Sequence, residues 1–569
     1  MSDFFQEGPR LGNQFEDDAV LRGWLQWRLP AEIRSEIEPQ LRTLGARAAT
    51  ELLALSEAAE REPPRHVPYD PWGRRVDEIV TSDAWRALDR IAAEEGLIAI
   101  GYERAHGAYS RTDQLARLYL YHPSSATYSC PLAMTDGAAR LLELYPDEVT
   151  RPVFAHLTSR TSDRFWTSGQ WMTERTGGSD VASTTTTACP SGNAPGEYLL
   201  SGTKWFTSAT TAQVAITLAR IDGAPAGSRG LSVFLVQLRD PSGALRGVCV
   251  NRLKDKLGTR ALPTAELTLD HMPGHLVGGA GDGVRKISAL FNITRVYNAV
   301  AAVAGMRRAI ALARDYATRR VAFGRPLIDQ PLHAETLAKL EVEHRAALHL
   351  TFRVVELLGR QECGTATAAE LALLRLLIPV AKLYTGKRAV AVASEALEAF
   401  GGAGYIEDTT LPRLLRDAQV LPIWEGTTNV LSLDVLRAVE KADALAVWLA
   451  EVRERVGAVR LDALDAPVAR LTDAAQCIER HAETAAAESS EYRQAGARAF
   501  AYALARTYAG SLLVAHAEWC VRNNQAAAPA ALAAARRWAA RPLAPLAHSD
   551  AAHRAESAWL IGRGGRSEG

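Results

Sequence analysis

Between Gln170 and about His275 the chain stops placing apolar residues every three or four positions and turns to short β-branched runs. Thr184 to Thr187, Tyr198-Leu-Leu, Val214-Ala-Ile-Thr-Leu, Leu231-Ser-Val-Phe-Leu-Val and Ala265-Glu-Leu-Thr-Leu are separated by Gly, Pro and Asp, which predicts a small antiparallel β-domain over 170–283. Helical spacing flanks it on both sides. Ala31-Glu-Ile-Arg-Ser-Glu-Ile and Leu41-Arg-Thr-Leu predict a helical domain over 1–169, broken at Arg61-Glu-Pro-Pro-Arg. Leu337, Leu340, His344, Leu348, Thr351, Val355 and Leu358 mark one face of a long helix, so a helical bundle is predicted over 284–440. An Ala- and Arg-rich segment over 441–569 reads as a further helical extension. The fold class is therefore mainly α with one central β-domain.

With 569 residues, 47% of them hydrophobic, the chain can bury several cores, which excludes disorder as its main state. Lys+Arg and Asp+Glu are equal at 65 each, so nucleic-acid contact has to be argued for a region rather than for the whole surface. Six cysteines lie far apart without a CxxC pair, which fits reduced thiols and neither a disulfide framework nor a zinc knuckle. The opening Met1-Ser-Asp-Phe-Phe-Gln-Glu-Gly-Pro lacks a basic, apolar leader, and no run approaches the roughly 18–20 apolar residues of a membrane span. A soluble cytoplasmic protein is expected.

Several stretches carry groups suited to a planar, phosphorylated ligand. Trp171-Met-Thr-Glu-Arg-Thr-Gly-Gly-Ser-Asp lets main-chain N–H groups approach such a ligand closely, and it is also ordinary turn chemistry. Lys204-Trp-Phe-Thr-Ser sets an indole beside two hydroxyls, either to cover a ring or simply as core. Arg320-Val-Ala-Phe-Gly-Arg-Pro-Leu-Ile-Asp-Gln joins a guanidinium, an aromatic ring and an amide near a helix end, suited to pyrophosphate and adenine or to a helix cap. Phe400-Gly-Gly-Ala-Gly-Tyr does not follow a strand in a βαβ unit, which rejects a Rossmann fingerprint. In Ile423-Trp-Glu-Gly-Thr-Thr-Asn a carboxylate lies between an indole and a glycine, as a desolvated base or as a surface turn. No metal is expected: His344 and His349 stand five apart, on different helix faces.

In their order these stretches resemble the acyl-CoA dehydrogenase superfamily: Thr173-Glu174, Gly178-Ser179-Asp180, Lys204-Trp205, Arg320-x-x-Phe323-Gly324, Gly401-Gly402-x-Gly404-Tyr405, then Trp424-Glu425-Gly426-Thr427. Tyr69-Asp-Pro-Trp-Gly-Arg-Arg-Val-Asp, Arg252-Leu-Lys-Asp-Lys-Leu-Gly-Thr-Arg, Ser432-Leu-Asp-Val-Leu-Arg437 and the carboxyl-terminal extension narrow the resemblance to its AidB-like, alkylation-response branch. The resemblance implies FAD enclosed by a helical domain, a β-domain and a four-helix bundle, in a homotetramer whose neighbouring subunits complete each cofactor site. It implies that Met172, Thr173 and Ser179 line the flavin edge and that Trp205, Thr207 and Ser208 cover its face. Arg320, Phe323, Gln330, Gly401 and Gly402 reach FAD from the adjoining subunit, Thr427 and Asn429 flank its phosphates and ribityl chain, and Arg295 lies on the substrate side. Glu425 matches the base that takes the pro-R α-proton of an acyl-CoA or related thioester while a hydride leaves the β-carbon.

Two positions depart from the family pattern. Asn292 replaces the usual Asp, leaving Arg295 without its customary companion, and Glu398 replaces a Gln that contacts FAD across the subunit boundary. After Tyr492 ten arginines face four acids, including Arg493, Arg498, Arg506, Arg522, Arg536, Arg537 and Arg541. A phosphate-gripping face and a solvated helical surface both fit that balance. The AidB-like resemblance implies duplex-DNA binding through this arm, with a stress flavoprotein of little acyl-CoA turnover as the alternative function. A dehydrogenase or oxidase acting on a carrier-bound acyl group is a third.

Overall fold

The computed structural model describes residues 6–240, 242–546 and 549–563, so Met1 to Phe5 of the opening segment lie outside the described residues. The amino-terminal block is helical, as in Ala31–Ala49, Ser110–Tyr121 and Ser129–Leu144, with one exception. Arg65–Tyr69 (β1) and Arg75–Val80 (β2) form an antiparallel hairpin across Asp70-Pro-Trp-Gly. Asp70 Oδ1 accepts from Trp72 N–H and Arg74 N–H, an Asx-type turn that the reading of 1–169 as purely helical overlooked.

The middle block is a seven-stranded sheet of Ser168–Trp171 (β3), Thr187–Pro190 (β4), Glu197–Ser208 (β5), Val214–Ile221 (β6), Leu231–Gln237 (β7), Val248–Leu253 (β8) and Thr264–Val277 (β9). Its order is β3-β6-β4-β5-β9-β7, and because β7 also pairs with β6 the sheet closes on itself. The sheet is not purely antiparallel: β3 and β4 both run parallel to β6. Side-chain alternation in β6 explains the two cores it separates. Val214, Ile216 and Leu218 face the helices, with Leu141 and Leu290, whereas Ala215 and Ala219 face the barrel interior, with Trp171 and Phe234.

The third block packs Ser288–Arg319, Pro331–Glu362, Ala368–Ala399 and Thr428–Ala442 around one apolar core. Caps set their starts: Pro331 occupies the first turn of its helix, Thr367 and Glu370 form a reciprocal capping box, and Thr427 caps the last. Between the first two, Val321–Ala322 (β10) and Arg325–Pro326 (β11) form a short hairpin. The extension folds as further helices, including Ser490–Arg522, which lies along the 331–362 and 428–442 helices. Trp448, Tyr508 and Trp538 of this arm are fully buried, so it shares the main core. No helix among the described residues is long and apolar enough to cross a membrane.

Candidate active site

Glu425 occupies the turn between Leu421 and the helix capped by Thr427, with φ at +57°, and Gly426 follows at +100°. The left-handed pair bends the chain so that the half-buried Glu425 carboxylate points at the 288–319 helix. Thr294 donates its hydroxyl to Oε2 at 2.6 Å, and Gln170 Nε2 reaches Oε1 at 3.5 Å from β3. Burial pushes the neighbouring Cys130 thiol up to about 12, so it stays protonated beside the Glu425 carboxylate. Trp424 donates its indole N–H to Asn298, one helical turn beyond Thr294.

Arg295 is not without a companion, which corrects the expectation raised by Asn292. Its Nη1 meets Asp434 Oδ2 at 2.8 Å, Arg375 Nη2 takes the other oxygen at 2.5 Å, and Arg295 Nε donates to the Glu425 carbonyl at 3.3 Å. The missing acid is supplied from the 428–442 helix, a partner 139 residues away that no local pattern reveals.

On the β-domain side, two of the motifs are locked by a buried ion pair. Lys204 Nζ lies 2.8 Å from Glu174 Oε1, and Glu174 also accepts from the main-chain and hydroxyl groups of Thr185 and Thr186. Burial alone would raise the Glu174 carboxyl, but Lys204 and the threonine donors outweigh it and hold it at about 2. Trp205 N–H donates to Thr173 O at 3.0 Å, joining the 172–179 and 204–208 segments. Gly178 is required here, since a Cβ would stand 2.5 Å from Thr173 Oγ1. Met172 is buried in the core and Ser179 is exposed. Thr207 is fully buried, with its hydroxyl donated to Ala265 O, while Ser208 Oγ meets Thr264 Oγ1 at 3.0 Å. A bulge between Lys204 and Thr207 turns Phe206 outward at 55% exposure, a ring the sequence reading passed over in favour of Trp205. Lys254 Nζ sits 3.8 Å from the Trp205 ring centroid and 4.7 Å from that of Phe206.

Arg320, Phe323, Gln330, Gly401 and Gly402 form a second group at the far end of the bundle. Phe323 has φ +51° and Gly324 +80°, a hairpin tip that leaves the Phe323 ring 98% exposed. Gln330 Nε2 donates to Ala322 O at 2.9 Å and Arg320 Nη1 to Gln6 Oε1 at 3.2 Å. Tyr316 packs on Phe400 at 4.9 Å between ring centroids, which brings Gly401 and Gly402 to the same end, both with open space where a Cβ would be. Glu398 is exposed nearby. Thr427 and Asn429 are exposed at the start of the 428–442 helix.

The chain matches the acyl-CoA dehydrogenase middle domain over 169–272 and the acyl-CoA dehydrogenase C-terminal domain over 281–440. Acyl-CoA dehydrogenase family member 11 of Caenorhabditis elegans is 45% identical over 539 residues, covering 92% of this chain and 87% of that protein. This chain belongs to the acyl-CoA dehydrogenase family. Its flanks match the N-terminal domain of the adaptive response protein AidB over 9–164 and an acyl-CoA dehydrogenase 11 C-terminal-like domain over 443–559. AidB of Escherichia coli (strain K12) is 35% identical over 411 residues, 70% of this chain and 74% of its own. The crystal structure of C. elegans ACDH-11 in complex with C11-CoA superposes with a TM-score of 0.95 at 42% identity, covering 100% of this chain and 98% of that one.

As a family member the chain is an FAD-dependent oxidoreductase of acyl-CoA dehydrogenase type. Its residues fit that cofactor. Among the described residues Gln170 Oε1, beside Glu425, and Thr428 Oγ1, in the first turn of the 428–442 helix, are buried polar atoms without partners. A helix N-terminus and orphaned polar atoms suit a phosphorylated, polar-edged group.

Proposed function

We propose that this protein dehydrogenates unbranched acyl-CoA thioesters of about ten to fourteen carbons, with Glu425 as the base. One observation carries the reading: the face of the 288–319 helix that begins at the base continues into a cavity. Thr294 holds the Glu425 carboxylate, Asn298 holds Trp424, and Ala301 and Gly305 line a cavity of about 60 Å³ with Ala389 and Ala393 of the facing helix, its other wall carrying His122, Arg413 and Asp417. From Thr294 to Gly305 that face advances about 16 Å. A zigzag alkyl chain with C–C bonds of about 1.5 Å, advancing roughly 1.25 Å per bond, crosses it in about thirteen bonds. The relative crystallised with C11-CoA supports the same size class.

The chemistry follows from how these groups are held. Thr294 and Gln170 aim the Glu425 carboxylate, which takes the α-proton of the thioester. Such a proton is too weakly acidic for a carboxylate in bulk water, so the wall formed by Trp424, Cys130 and the small residues below must exclude solvent. Bound FAD supplies the acceptor for the hydride that leaves the β-carbon. Thr173, Trp205 and Ser208, joined through Trp205 N–H and the Glu174–Lys204 pair, would hold the ring, with Phe206 as its exposed aromatic neighbour. Thr427 and Asn429 would meet the ribityl and phosphate groups.

Arg320 and Phe323 lie at the opposite end of the 288–319 helix, about 38 Å from Thr294 at 1.5 Å per residue. That separation supports their serving the FAD of another copy, in a homotetramer. The arginines of the extension favour a packing role for this arm rather than a grip on duplex DNA, since each of the seven named is engaged within the chain. The test is an anaerobic titration of the FAD-loaded protein with a ladder of acyl-CoAs. Flavin absorbance should bleach most readily with chains of about ten to fourteen carbons, and absence of bleaching by any straight-chain acyl-CoA would overturn the reading.

A further inference from the structure

Beneath the Glu425 turn lies a side chain that no motif singled out. Lys382, on the Ala368–Ala399 helix, is fully buried, and its Nζ donates to Trp424 O at 2.5 Å and to Gly426 O at 2.6 Å. Those carbonyls flank Glu425, whose own carbonyl accepts from Arg295 Nε. Three successive carbonyls therefore converge on two basic side chains. In an extended segment the carbonyls on either side of a residue share a side but lie two rises, roughly 7 Å, apart, too far for one amine to meet both, and the left-handed Glu425 closes that gap. A residue with a Cβ resists that conformation, so contacts from outside the turn must hold it.

We propose that Lys382 is a positioning residue for the dehydrogenation: its Nζ fixes the Glu425 turn and so aims the carboxylate. The proposal rests on Glu425 being the base, as argued above. The charged groups facing Lys382 are Glu425 from the turn and Arg295 from the 288–319 helix. Behind Arg295 stand Asp434 of the 428–442 helix and Arg375 of Lys382's own helix. Burial pulls the ammonium down to about 7, with Arg295 adding to the effect and Glu425 opposing it. An uncharged amine keeps two N–H donors, enough for both carbonyls, so the clamp survives deprotonation while the cation beside Glu425 is lost.

The experiment uses the full-length, FAD-loaded protein and two readouts. Anaerobic stopped-flow bleaching by saturating dodecanoyl-CoA should slow at least tenfold in Lys382→Met at unchanged FAD occupancy, and Lys382→Gln, which keeps amide donors, should recover part of the rate. Hydrogen exchange over 423–427 needs no turnover: Lys382→Met should speed it at least tenfold, with the 288–319 helix unchanged, and Lys382→Gln, which keeps amide donors, should speed it less. Wild-type exchange in Lys382→Met, or an undiminished bleaching rate in it, overturns the clamp. If Lys382→Met does not fold, Lys382→Gln decides by the same two measures. Faster exchange in Lys382→Met, together with undiminished bleaching in Glu425→Gln, would leave the clamp standing and remove Glu425 as the base.

Discussion

Gly305 lies inside the 288–319 helix, where glycine costs about 1 kcal/mol relative to alanine. Nothing in the fold requires it: its conformation is helical, and a Cβ there would meet no atom within 4 Å. The space it leaves belongs to the cavity below Trp424. Gly305→Leu would place four carbons where the proposal puts the end of the acyl chain. At about 0.8 kcal/mol per buried methylene, displacing three or four of them costs about 3 kcal/mol, roughly a hundredfold in kcat/KM for a twelve-carbon substrate. Four- and six-carbon thioesters, which end before Gly305, should be unaffected, and the thermal midpoint should rise slightly because the helix gains propensity. The assay is kcat/KM along a ladder of acyl-CoAs with an artificial electron acceptor. An equal loss at every length, or no loss at twelve carbons, would refute a tail channel along this helix face.

Glu425→Gln keeps the shape of the turn but cannot accept a proton; FAD occupancy should persist while substrate-dependent bleaching falls by about two to four orders of magnitude. Lys204→Met leaves Glu174 buried without its cation, and such a loss typically costs about 3–5 kcal/mol. Denaturant titration should show that drop together with weaker FAD retention, because the same pair holds Thr173 against Trp205. Acid should loosen the joint between the extension and the bundle, where His349 and His516 lie 4.7 Å apart between ring centroids, both held far below the usual histidine range by burial, His516 at about 4. The folded chain disfavours their protonation and the unfolded chain does not, so stability is full above about pH 6.5 and declines as pH falls toward 4. The unfolding midpoint should decline less steeply over that window in His516→Gln than in the wild type.

The alternation of helical and β texture was readable because it depends on local spacing, and Glu425 could be singled out as a candidate because its neighbours form a contiguous string. What was hidden depends on contacts between distant segments. Lys382 reads as one more charge on a long helix, and only the approach of the 421–427 turn makes it a buried donor. Asp434 compensates for Asn292 through space, so the departure at 292 could be seen without its remedy. Thr207 is turned inward and Phe206 outward because a bulge between Lys204 and Thr207 shifts which side chains of β5 face out. The hairpin over 65–80 was hidden by its length: two strands of five and six residues joined by Pro-Trp-Gly resemble a break between helices.

The arginine surplus of the extension leads to a further prediction, which separates composition from electrostatics. Arg541 reaches Glu343 at 2.7 Å, Arg537 reaches Glu335 at 2.8 Å, Arg522 reaches Glu518 at 2.5 Å, and Arg493 lies 3.5 Å from Glu440. Arg536 and Arg506 donate to the carbonyls of Ala463 and Pro542, and Arg498 stacks over Tyr502. Three of these acids, Glu335, Glu343 and Glu440, lie outside the extension, so counting charge within the arm overstates its field. A duplex phosphate would have to compete with carboxylates already in place, and each phosphate neutralised contributes about −0.9 to the slope of log K against log salt. Binding to a random duplex should therefore be no tighter than ordinary non-specific association, with a slope far shallower than six or more phosphate contacts would give. A steep slope that flattens in Arg498→Ala/Arg506→Ala, a pair held by a ring and a carbonyl rather than by a carboxylate, would show that the arm does present a basic face.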